Sequence, residues 1–227
     1  MNRLRLAAIV AFCLHLVAGL AMMVVLRHGL ETNPDLRGRL TFLATHRTLW
    51  SFAWLTWTAA ALSILYFYMT FAETHDTAGS SRVPLRLAVL LTTAALAPDL
   101  AAQAIEIGVL PPLAFHALSS MDRLDLFLVL HRTAVMLSGY LANGLYSLSA
   151  LFLAWSTRPQ YSAWVWLSGL AAGFSGFLLS AAALMDSTAG MFWSNVVLVP
   201  SILLWLAGVG ANWPKMVSDQ VRAQIKV

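Results

Sequence analysis

Residues 85–108 read LRLAVLLTTAALAPDLAAQAIEIG, and this stretch decides how the chain is to be understood. It is apolar over nearly its whole length. As a helix rising 1.5 Å per residue it is about 36 Å long, enough to cross about 30 Å of hydrocarbon. Its polar residues are not scattered. Thr92, Asp99, Gln103 and Glu106 stand at i, i+7, i+11 and i+14, which at 100° per residue places them within an arc of about 60°. An ionisable group in hydrocarbon costs about 2.5–3.5 kcal/mol on insertion scales, so this stripe belongs against other helices or a polar cavity. Pro98 precedes Asp99 and, lacking an N–H, leaves the carbonyl of Ala94 without its helical donor.

Five further stretches share this character. Spans are expected near 6–26, 49–72, 85–108, 127–155, 162–185 and 191–211. Hydrophobic residues make up 59% of the 227, charged residues 11%, and the mean hydropathy is +0.74. A water-soluble domain carries about 25% charged residues, so a nucleic-acid module, a soluble enzyme and a disordered tail are all excluded as classes. The expected fold is an all-α integral membrane protein: a bundle of six transmembrane helices arranged as three hairpins, with residues 1–227 forming a single polytopic domain. The basic start Met1-Asn2-Arg3-Leu4-Arg5 resembles a signal sequence, but about 21 apolar residues follow, longer than the usual h-region. The segment is read as a retained helix.

Thr32-Asn33-Pro34-Asp35 and Thr77-Ala78-Gly79-Ser80-Ser81 are expected to break loops, Pro111-Pro112 to end the third helix and Arg158-Pro159 the fourth. The first and third loops are expected to be long. The net charge of +4 reflects loop arginines. Arg3, Arg5, Arg82, Arg86, Arg158, Lys215, Arg222 and Lys226 fall on the side of the termini; Arg27, Arg37, Arg39, Arg47, Arg123 and Arg132 fall opposite. The excess puts both termini in the cytoplasm of a bacterial inner (plasma) membrane. Trp50, Trp155, Trp164, Trp193 and Trp213 lie near helix ends, where interfacial aromatics belong. The lone Cys13 excludes an intrachain disulfide.

The fourth span carries a second stripe of Arg132, Met136, Gly139, Asn143 and Tyr146. Matched by depth on antiparallel neighbours, Asp99 faces Asn143 and Glu106 faces Arg132. His15 sits near mid-span of the first helix. The candidate substrate- or proton-binding set is therefore Asp99, Gln103, Glu106, Arg132, Asn143 and His15. Haem or metal at His46 and His131 finds no support in their spacing, and no cofactor is expected. Gly169, Gly173 and Gly176 form a small-residue face for close helix packing, within the chain or against a copy or partner subunit. The expected function is an outward-opening intramembrane polar pocket that binds, and in the fuller version transports, a small molecule, ion or proton. Two alternatives stand beside it. One is a membrane-embedded enzyme acting on a lipidic substrate, with Asp99 or Glu106 as general acid or base. The other is a structural or assembly subunit.

Overall fold

The computed structural model describes residues 3–76 and 82–225, with side chains described as far as residue 212. Nine α-helices are described: α1 (Arg3–Val24), α2 (Leu36–Thr45), α3 (Arg47–His75), α4 (Arg82–Ala104), α5 (Leu110–Ala117), α6 (Met121–Val135), α7 (Asn143–Thr157), α8 (Ala163–Leu184) and α9 (Thr188–Ile225). No strand occurs among the described residues. Two wide π-helical segments, Ile105–Val109 and Met136–Ala142, join α4 to α5 and α6 to α7. The described residues thus contain six helical rods long and apolar enough to cross a membrane. Their cores agree with the expected spans to within several residues.

The rods follow one another around a ring. α1 packs on α3, α3 on α4, α4 on α7, α7 on α8, α8 on α9, and α9 closes back on α1. Packing therefore continues beyond three separate pairs. The bundle turns large apolar side chains outward and encloses polar groups among its apolar core. Phe52, Leu90, Val129, Phe174 and Leu178 are each at least 60% exposed, whereas Thr92, Asp99, Gln103, Glu106 and His131 are buried. A chain that must bury its apolar groups from water does the reverse.

Several local expectations change. Pro111-Pro112 does not end the third rod: both prolines lie in the first turn of α5. Proline is tolerated there because first-turn N–H groups have no helical acceptor. The π segment supplies the join, with Leu110 N–H bonded to the carbonyl of Ile105 five residues back. The third loop consequently shrinks to a short turn at Leu118–Ser120 before α6. The first loop holds α2, whose N-terminus is capped by Asp35 accepting from Gly38 N–H at 2.9 Å. Leu36, Arg39, Leu40 and Leu43 share one face of α2, and the last three are buried. Trp50 is not interfacial: it is fully buried, while Trp155, Trp164 and Trp193 are exposed. Pro98 and Pro200 lie inside α4 and α9 without interrupting either helix. The expected loop at residues 77–81, the terminal residues Met1, Asn2, Lys226 and Val227, and the side chains of Trp213, Lys215 and Arg222 lie outside the described residues.

The glycines of α8 are used within the chain. A β-carbon on Gly169 would stand 2.8 Å from the Ala154 β-carbon and 2.9 Å from the Trp205 ring. On Gly173 it would stand 2.5 Å from Leu151 and 3.1 Å from the Ser147 carbonyl, and on Gly176 it would overlap Ser147. These close approaches fasten α8 to α7 and α9.

Candidate functional site

Polar side chains collect at two levels along α4 and the π segment that follows it. The first level is mid-rod. Asp99 accepts from Ser138 Oγ at 2.8 Å through Oδ1 and from Tyr146 Oη at 3.3 Å through Oδ2. Gln103, one turn on, lies against the same carboxyl, and its Oε1 accepts from Thr58 Oγ1 at 2.5 Å. Ser138 reaches Asp99 from within the second π segment. The wider turn there displaces side chains from the ordinary 100° progression, a common feature where a helix serves a site. Asp99 thus ties α4 to the π segment through Ser138 and to α7 through Tyr146, and Gln103 ties the same level of α4 to α3 through Thr58.

The second level lies seven residues on, about 10 Å along the helix axis. Glu106 occupies the first π segment and is 2% exposed. Trp50 donates its indole N–H to the Glu106 carbonyl oxygen at 2.8 Å, which fixes α3 against this turn. Arg39 reaches in from α2, donating from Nη2 to His131 Nδ1 at 2.7 Å and from Nε to the Gly29 carbonyl at 3.3 Å. The other ring nitrogen of His131, Nε2, approaches Glu106 Oε1 at 3.5 Å, too long for a full hydrogen bond. Glu106 Oε2 has no protein partner.

Arg132 faces elsewhere. Its Nη2 donates to the Ala183 carbonyl at 2.6 Å, and its Nη1 lies 3.0 Å from Asp186 Oδ1 and 3.8 Å from Glu31 Oε2. A cation there stabilises the α8 C-terminus, where carbonyls lack helical donors. Asp186 sits just beyond that end with φ 57°, a conformation aspartate tolerates. Burial pushes the Glu31 carboxyl above its ordinary range, opposed by Arg132 and Arg39 and reinforced by Asp186. Burial also lowers the Arg39 guanidinium from its ordinary value, opposed by Glu31 and Glu106.

The six residues singled out from the sequence therefore separate. Asp99 and Gln103 share one level and Glu106 lies at the next. Arg132 pairs with Asp186 and Glu31, not with Glu106. Asn143 donates to the Ser138 carbonyl at 3.1 Å, not to Asp99. His15 donates to its own Ala11 carbonyl at 2.8 Å and stands edge-on to Trp57. His46 is exposed and stacked on Phe42, whereas His131 is fully buried beside Arg39. Among the described residues no group of three or more His, Cys, Asp and Glu side chains is gathered to hold a metal. The residues missed from sequence are Arg39, Glu31, Thr58 and Ser138. Arg39 had a signal: an N-capping Asp35 followed by Leu36, Leu40 and Leu43 at helical spacing.

Two surface hollows lie apart from these clusters. One, of about 260 Å³, lies between α1 and α9 and is lined by Ala8, Phe12 and Leu206. The other, of about 570 Å³, lies beside α2 between His28, Arg37 and His46. Compared with known proteins, the chain matches no family model, no curated protein and no solved structure.

Proposed function

We propose that the chain crosses a bacterial inner membrane six times, with both termini cytoplasmic, and that its polar interior binds protons and couples them to the passage of a small polar molecule or ion. The outward-facing surface of the rods supports the bilayer setting, and the arginine and lysine distribution supports the orientation. In this frame α2 and the Glu106 level lie toward the outer face and Asp99 lies near mid-bilayer.

The single observation that carries the functional reading is the Asp99 site. A carboxyl only 7% exposed accepts from hydroxyl groups on two segments of another rod and is tied to a third rod through Gln103 and Thr58. Ionised, the carboxylate draws Ser138 and Tyr146 inward. Protonated, it loses the charge that strengthens those hydrogen bonds and gains a donor of its own. The change of one proton is thereby a change in how tightly α4 holds the π segment and α7. Intramembrane carboxylates in this situation are the usual material of proton-linked transport. The scaffold alternative rested on the glycines of α8, and these pack against α7 and α9 of the same chain. The enzyme alternative needs a nucleophile beside a base, and the hydroxyls nearest Asp99 are already committed to it as donors.

The full chain reconstituted in vesicles with a trapped pH-sensitive dye tests this. With sodium, potassium and a mixture of small polar solutes supplied outside, wild type dissipates an imposed proton gradient faster than empty vesicles, and Asp99→Asn falls to the empty-vesicle rate. Equal rates for wild type and Asp99→Asn would overturn the proposal.

A further inference from the structure

The Glu106 level contains an arrangement that the Asp99 site does not use. Arginine has no acceptor, so the 2.7 Å contact between Arg39 Nη2 and His131 Nδ1 makes Nδ1 the acceptor. The imidazole therefore carries its proton on Nε2, which lies 3.5 Å from Glu106 Oε1. His131 is completely buried and Glu106 is 2% exposed, yet His131 Nε2 and Glu106 Oε2 both lack a full hydrogen-bond partner. Buried polar atoms are nearly always satisfied, and orphans of this kind call for a ligand. The unpartnered carboxylate oxygen accepts only from a species that donates. The charged groups facing it are Arg39 from α2, Glu31 from the segment before α2 and His131 from α6; Arg132 is held away by Asp186 and Glu31.

We propose that Glu106 is a second proton-binding carboxylate, on the side of the bundle that α2 covers: the proton lands on Oε2, while His131, fixed by Arg39 as the Nε2–H tautomer, approaches Oε1 as a neutral donor. This rests on the reading of the interior as proton-binding but not on the role of Asp99. Arg39 acts here as a positioning residue. By occupying Nδ1 it leaves the imidazole no second proton to take or give, so the proton on the incoming side belongs to Glu106. No bond other than O–H forms, and the proton comes from the aqueous phase.

Two readouts on the full chain in nanodiscs test this. With ¹⁵N-labelled histidine, and the His131 signals identified by their loss in His131→Asn, wild type shows an unprotonated Nδ1 and a protonated Nε2. Arg39→Gln, whose amide still donates, keeps that pattern, and Arg39→Met loses it. A proton on Nδ1 in wild type would overturn the role of Arg39. In acid-minus-neutral infrared difference spectra, one protonated-carboxyl band disappears in Glu106→Gln and persists in Asp99→Asn. A Glu106→Gln spectrum identical to wild type would overturn the site. Retention of every carboxyl band in Asp99→Asn, with loss of one in Glu106→Gln, would instead remove the mid-bilayer reading and leave this one standing.

Discussion

The two sides of the ring are built on opposite principles. Where α8 meets α7 and α9, small residues bring backbones together: Gly169 lies against Ala154 and Trp205, and Gly173 against Leu151 and the Ser147 carbonyl. Where α3, α4 and the π segment of the fourth rod meet, helices are held by hydrogen bonds, and both wide turns occur there. Close packing has one solution and resists change, because interiors are already near crystalline density. A hydrogen-bonded seam with an orphan carboxylate oxygen has alternatives, because protons and water are able to exchange partners in it. On the function proposed above, the first side is the frame and the second the working part.

The largest expected effect falls on the working part. Arg39→Met removes a cation 7% exposed that faces Glu106 and Glu31. It also leaves His131 Nδ1 and the Gly29 carbonyl without their donor, and at about 1–3 kcal/mol for each buried group left unsatisfied the loss is about 2–5 kcal/mol, to be read from denaturant titration in detergent. A loss below about 1 kcal/mol would mean that α2 is an appendage rather than part of the site.

The frame is tested next. Gly173→Ala forces a methyl group into Leu151 and should cost about 1–3 kcal/mol. Gly108→Ala, in the first π segment with no atom within 4 Å of its added carbon, should stay within about 0.5 kcal/mol. Equal costs would erase the distinction between the two sides. Within the working part, Glu106→Gln and Arg132→Met should couple by less than about 1 kcal/mol, since they make no direct contact and only Glu31 faces both. A larger coupling energy would restore a direct pair.

The smallest effect concerns Glu31. Its folded-state carboxyl is raised above its ordinary value of 4.5 by burial, so the folded chain binds that proton more tightly than the unfolded one. The resulting stabilisation is complete below that ordinary value and is lost as pH rises through the raised one. Melting curves between pH 4 and 7 should therefore show wild type falling relative to Glu31→Gln as pH increases. The opposite slope would mean that Arg132 and Arg39 outweigh burial.

Much of this was legible from periodicity. A 3.6-residue repeat locates the buried face of α4 because Thr92, Asp99, Gln103 and Glu106 recur on it, and all four are buried. Depth is legible in the same way, since it follows from counting residues from a helix end. Azimuth is not. His131 and Arg132 share a depth but point about 100° apart, so the first approaches Glu106 and the second turns to α8. Trp50 shows the same limit: an aromatic near a helix end has the same sequence signature whether it faces lipid or another helix. The prolines at 111 and 112 looked like a stop because a π turn, which shifts the bonding register, leaves no compositional trace. α2, with only ten residues, is too short to stand out as a span and reads as loop, so its length alone does not mark Arg39 as buried. The glycines of α8 announced close packing, but spacing alone does not say whether the partner is the same chain.

The proposed transport depends on Asp99 taking and releasing a proton within the bundle, and a pair of melting curves probes that step without any knowledge of the solute that accompanies it. Melting temperatures of wild type and Asp99→Asn are measured in the same detergent between pH 5 and 8. If Asp99 changes its protonation in the folded chain, the gap between the two curves varies with pH, because the asparagine has no proton to exchange. Curves separated by a constant offset across the whole range would contradict the account, leaving Asp99 as a hydrogen-bonding tie between helices and nothing more.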